Sequence, residues 1–187
     1  MFIQTEATPN PATLKFLPGR EVMGEAAVAD FPDRDSAGRS ALARAIFDTP
    51  EVSRVFFGSD FISVTKSTGD WRQLKPAVLG AIMDHFTRGL PLMDAAAAET
   101  PSEPGYAEAD EEIVSQIKDL IETRVRPAVA NDGGDIIFKG FDGKSGVVFL
   151  HMRGSCAGCP SSSRTLKNGI ESMLRHYIPE VSAVEAI

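Results

Sequence analysis

The chain has 187 residues, a formal net charge of -7 and an apolar content of 43%, which fits two modest soluble domains and contains no run near the roughly 18 uninterrupted apolar residues of a membrane span. The acidic balance argues against a broadly basic nucleic-acid face. The opening Met1-Phe2-Ile3-Gln4-Thr5-Glu6 has neither the basic start and apolar run of a secretory signal nor the Arg-rich, acid-poor make-up of a transit peptide, so a cytoplasmic protein that contacts no membrane and no nucleic acid is expected.

In chain order, Phe2 to Glu6 and Thr13 to Leu17 suit strands, separated by the turn-forming Thr8-Pro9-Asn10-Pro11. Ser36 to Phe47 reads as a short helix with Leu42, Ile46 and Phe47 as its apolar residues. Val52 to Phe57 and Phe61 to Thr65 flank Gly58-Ser59-Asp60, a hairpin pattern. Trp71 to Phe86 forms a helix whose Leu74, Val78, Ile82 and Phe86 paint one stripe.

Residues 94–109 are rich in Ala, Pro, Ser and acid and lack the large side chains that offset the entropy of ordering, which predicts a flexible acidic linker. Between Asp94 and Glu112 there are seven acidic residues and no Lys or Arg, so the acidity belongs to this connector rather than to a binding surface. The expected architecture is α+β: a domain over 1–93, the linker over 94–109 and a second domain over 110–187.

The second domain opens with a helix carrying Ile113, Ile117, Leu120, Ile121 and Val125, which Pro127 is expected to kink or end because it lacks the amide proton of the helical ladder. Asn131-Asp132-Gly133-Gly134-Asp135 reads as a turn, its glycines supplying positive φ. Strands follow over Ile136–Phe141 and Val147–Met152, then a cysteine loop. Next come a helix with Leu166, Ile170, Met173, Leu174 and Tyr177 inward and a final edge strand within 181–187.

The loop holds both cysteines of the chain, in Gly154-Ser155-Cys156-Ala157-Gly158-Cys159-Pro160. In a reducing compartment such a pair serves metal binding or redox chemistry more often than a structural disulfide. Two thiolates grip one side of a metal but do not complete a four-thiolate site, so a metal held here needs ligands from a second copy, a partner or a small thiol, which favours an exposed, shared site. Cys159 falls near a helix N-cap with Pro160 at the first helical position. The helix N-terminus stabilises a nearby anion by about 0.3–1 kcal/mol, which predicts lowered cysteine pKa values. Gly154 and Gly158 permit close approach of amides to sulfur, and Ser155, Ser161, Ser162 and Ser163 are candidate donors. The same physics serves a redox-active pair. Against that reading, the chain does not show the alternating βαβ pattern of a thioredoxin-like domain, and its proline follows the second cysteine.

Segments across nearly the whole chain resemble the Nfu-type iron–sulfur cluster carriers, whose C-terminal domain is shared with NifU. They are Arg126 to Asp135, Gly154 to Ser161, Leu166 to Ile170 and Tyr177 to Val181, and in the first domain Met1 to Gln4, Thr8 to Pro11, Leu14 to Phe16, Val55 to Gly58, Phe61-Ile62 and Trp71. The resemblance implies a carrier rather than an enzyme. Cys156 and Cys159 from each of two chains would ligate a labile [4Fe-4S] cluster in a homodimer, with [2Fe-2S] left open by the sequence. An upstream assembly scaffold would donate the cluster and apo iron–sulfur proteins would receive it. The competing readings are a thiol–disulfide oxidoreductase with Cys156 as nucleophile and a zinc-stabilised binding module. His151, Lys167 and Arg153 lie near the loop in sequence, and each reads as structural or solvated. Asp132 and Asp135 are hard donors ill suited to a soft sulfide cluster.

Overall fold

A computed structural model describes residues 2–24, 27–94, 110–157 and 160–187, with main chain only over 160–163. The chain divides into two compact units, Met1–Thr100 and Pro101–Ile187. The expected linker lies outside the described residues except for Asp94. That residue belongs to the first unit, its amide donating to the Arg39 carbonyl at 2.9 Å and its carboxylate 3.7 Å from Arg44.

The first unit is an antiparallel sheet of β1 (Gln4–Ala7), β2 (Thr13–Leu17), β3 (Ala29–Phe31), β4 (Val52–Phe57) and β5 (Ile62–Lys66), in the order β1-β2-β5-β4-β3. Helices α1 (Ala41–Phe47) and α2 (Trp71–Arg88) share its core with Phe16, Phe31, Val55, Phe57, Ile62 and Val64. Leu74, Val78 and Ile82 are buried as their spacing predicts, and Phe86 packs at the margin. The expected single helix over 36–47 is broken. A 3-10 turn over Ser36–Arg39 ends at Ser40, whose extended backbone and side-chain oxygen cap α1 by accepting from the Ala43 amide at 3.2 Å. Strand β3 was not foreseen. Three residues carry little periodicity, and its pairing with β4 through Ala29↔Phe57 and Phe31↔Val55 is a long-range contact.

In the second unit, α3 (Glu111–Leu120), a π-helical turn (Ile121–Val125) and α4 (Arg126–Asn131) follow without interruption. Pro127 does not end the helix. The wider turn before it, closed by the Arg126 amide donating to the Ile121 carbonyl, lets the chain stay helical. The apolar stripe Val114, Ile117, Ile121, Val125 and Val129 faces the sheet throughout. Strands β6 (Gly134–Asp142) and β7 (Val147–Gly154) form an antiparallel hairpin with an irregularity between Phe138 and Gly140. Helix α5 (Pro160–Tyr177) then returns the chain to β8 (Ala183–Ala186), which runs parallel to β7 and leaves the order β6-β7-β8. Thus β7, α5 and β8 do make one βαβ crossover. It was illegible because β8 is four residues long and half exposed. Ile170 and Leu174 are buried, whereas Tyr177, expected inward, is 48% exposed with Arg124 stacked 5.2 Å from its ring centroid.

Candidate functional site

Strand β7 ends at Gly154, whose φ of +63° turns the chain sharply. The Ala157 amide donates to the Gly154 carbonyl at 3.1 Å and closes a tight turn around Ser155 and Cys156. A second turn faces it, between α4 and β6, where Gly133 has a φ of +79°. The positive φ expected of the Asp132-Gly133-Gly134-Asp135 glycines is therefore realised at Gly133. The two turns are laced together. The Ser155 amide donates to the Gly133 carbonyl at 3.2 Å, and the Ser155 hydroxyl donates to the Asp132 carbonyl. Ser155 Oγ also lies 3.9 Å from Cys156 Sγ.

Gly134 is required for a different reason. A Cβ placed on it would stand 2.6 Å from Cys156 Sγ, 2.8 Å from the Arg153 carbonyl and 3.2 Å from the Cys156 amide nitrogen. The thiol rests on bare backbone and belongs to the core of this unit, with 6% of the residue exposed. This corrects two expectations, that Cys156 is exposed and that its pKa is lowered. Burial pushes the thiol up to about 11, with Asp132 and Asp135 adding to the rise and the Ser155 hydrogen bond opposing it. The helix-dipole argument fails for Cys156 because the side chain sits on the strand side of the loop, against Gly134. Cys159 and Gly158 lie outside the described residues, as do the side chains of Ser161, Ser162 and Ser163.

Asp135 does not face the thiol as a ligand. Its carboxylate accepts a bidentate pair from Arg126, Nε to Oδ1 at 2.8 Å and Nη2 to Oδ2 at 3.0 Å, and Arg126 Nη1 also reaches Glu122 at 2.8 Å. These contacts hold the Arg126 pKa far above its ordinary value. The sequence reading missed the ion pair, although both residues lie in the segment singled out as characteristic. His151 sits on β7 with Nδ1 2.7 Å from the main-chain oxygen of Ile187, a structural role. Lys167 is half-buried on α5, and Arg153 pairs opposite Asp135 in the β6–β7 ladder. Among the described residues, no three or more His, Cys, Asp or Glu side chains converge on a metal-binding point. Nor is any described helix long and apolar enough to cross a membrane.

Residues 3–89 match the family model described as Scaffold protein Nfu/NifU N terminal, and residues 117–185 match the NifU-like domain, a span that includes Cys156 and Cys159. The chain is 53% identical over 186 residues to NifU-like protein 4, mitochondrial, of Arabidopsis thaliana, covering 99% of this chain and 65% of that protein. It is 52% identical over 189 residues to NFU1 iron-sulfur cluster scaffold homolog, mitochondrial, of Homo sapiens, covering all of this chain and 72% of that protein. The chain thus spans about two thirds of the length of these relatives. The cytoplasmic location expected above is overturned, since the relatives are named as mitochondrial. That expectation rested on the composition of six residues, and the relatives extend beyond the matched span.

Proposed function

The chain belongs to the Nfu family of iron–sulfur cluster scaffold proteins, and on that premise we propose that it carries a labile [4Fe-4S] cluster between two copies of itself and delivers it to apo-proteins. Cys156 and Cys159 of each copy supply the four thiolates that such a cluster takes. The observation that carries the reading is the cysteine loop, which sits between β7 and α5 inside the NifU-like match and is tied to the α4–β6 turn by Ser155. A cluster donor of the assembly class supplies the cargo, and recipients take it by ligand exchange without turnover chemistry by this chain.

The buried thiol couples this cycle to protons. Before loading, Cys156 holds its proton against a desolvated pocket. Iron must displace that proton, so loading releases acid and unloading takes it up.

Residues 1–94 and 110–187 act as separate domains in this proposal, with residues 95–109 as a connector whose composition disfavours packing. The first domain holds a recipient at an effective concentration of order mM for the second. Deleting residues 1–93 should slow transfer to at least one apo-target, and unchanged rates for all targets would remove this role. The cluster assignment is tested by anaerobic reconstitution with iron and sulfide followed by native mass spectrometry. A dimer with one four-iron cluster, lost in Cys156→Ser and in Cys159→Ser, is expected. A cluster-free monomer, or a species retaining zinc alone, would overturn it.

A further inference from the structure

The main chain that supports Cys156 has no buried apolar side chain of its own. Val129 on α4 and Ile136 on β6 are fully buried, yet between them no apolar side chain is buried. This stretch includes Asp132, Gly133 and Gly134, the residues that accept from Ser155 and lie beneath the thiol. Main-chain bonds from the Asp132 amide to Val129 and from the Gly133 amide to Ala130 close the helix end. The bonds to Ser155 tie the stretch to the cysteine loop and would move with it.

Asp135 ties the β6 end of the stretch to the helices through its side chain. It adjoins Gly134, pairs opposite Arg153 and is 6% exposed at its side chain, and its carboxylate is gripped at both oxygens by Arg126. Arg126 is held from the other side by Glu122 on the π-helical turn. That turn inserts one residue into the helix, which rotates everything after it by about 100° relative to an uninterrupted α-helix. A buried ion pair contributes little to net stability, and its best-attested use is to fix register.

At the far end of the hairpin, past the irregularity between Phe138 and Gly140 and past the buried Ile136 and Phe138, Gly134 stands opposite Gly154. A shift of one residue there would bring Asp135, with its Cβ, opposite Gly154 in place of Gly134. From this we propose that Arg126 is a positioning residue for Cys156, acting through Asp135 to keep the backbone of Gly134 under the thiol. The proposal rests on the reading of Cys156 as a cluster ligand for its consequence, but not for its geometry.

The test uses the full apo chain. Iodoacetamide modification is followed by mass spectrometry at Cys156 in wild type, Arg126→Gln, Arg126→Lys and the double variant Arg126→Gln/Asp135→Asn. The double variant removes the ion pair without leaving a lone buried carboxylate. Val184→Ala, in the strand at the opposite edge of the sheet, serves as a control of comparable instability. Loss of the pair should raise the Cys156 rate about tenfold or more in the Gln and double variants, in line with loss of a charge-assisted contact, with Arg126→Lys intermediate. Iron release from the reconstituted dimer to a chelator should speed up in the same order. A double variant that reacts as slowly as wild type, or Val184→Ala reacting as fast as the double variant, would overturn the proposal. If the wild type takes up no cluster, the carrier reading fails, while the alkylation ranking still decides this one.

Discussion

Replacing Gly134 by Ala probes the packing beneath the thiol with a single methyl group. The added Cβ would lie 2.6 Å from Cys156 Sγ and 2.8 Å from the Arg153 carbonyl, well inside the 3.4 Å at which ordinary contact begins. The carbonyl is fixed in the β6–β7 ladder, so the strain falls on the thiol and its loop. Overpacking of this kind costs about 1–3 kcal/mol. With an m-value of about 1 kcal/mol/M, the urea midpoint of the second unit should drop by about 1–3 M. Gly169→Ala is the matched opposite. It is exposed within α5 and a Cβ there meets nothing within 4 Å, so the change should stabilise the same unit by about 0.5–1 kcal/mol. The single tryptophan, Trp71, lies in the first unit, so its fluorescence midpoint should stay fixed in both variants while circular dichroism or hydrogen exchange follows the second. Gly134→Ala should also expose Cys156 to alkylation. If it unfolds at the wild-type midpoint with an unchanged Cys156 rate, the close seat of Cys156 on Gly134 is wrong.

Because folding raises the Cys156 pKa from 9.0 to about 11, the folded state binds this proton more tightly; the contribution is complete below 9.0 and disappears as pH rises through about 11. It amounts to roughly 2–3 kcal/mol, and the wild-type chain should lose that much more stability than Cys156→Ser over this range in urea titrations; parallel pH curves would refute it. His85 shows the opposite linkage, since burial, opposed by a backbone hydrogen bond at Leu90 and the charge of Asp84, lowers its pKa from 6.5, and among the described residues its Nε2 has no hydrogen-bond partner. The first unit should therefore be fully stable above about pH 6.5 and weaken below it, as the unfolded chain takes up the extra proton; His85→Leu should flatten this slope in Trp71 fluorescence, and a persistent slope would assign it elsewhere. Ser155→Ala, which deletes the hydroxyl bond to the Asp132 carbonyl, should cost the second unit about 1 kcal/mol and loosen the cysteine loop in hydrogen exchange at Ala157, whereas unchanged protection would mean the main-chain bond to Gly133 holds the turn alone.

Local signals settled much of this protein in advance. The stripe Leu74, Val78 and Ile82, spaced every four residues, specified the buried face of α2, because helical periodicity is written in neighbouring positions. The hairpin of β4 and β5 was legible for the same reason, as was Pro160 at the start of α5. The cysteine pair and the glycine turn before it were visible as motifs, and Gly133 does take the positive φ its position suggests. What depended on partners far along the chain was not legible. Strand β3 exists through β4, β8 through β7, and the helix passes Pro127 because a π-helical turn precedes it. The site divides in the same way. Sequence alone marked Cys156, but its burial follows from the approach of Gly134, 22 residues earlier, next to an Asp135 that pairs with Arg126. A thiol's identity is encoded at one position, while its solvation is set by whatever main chain the tertiary structure lays against it.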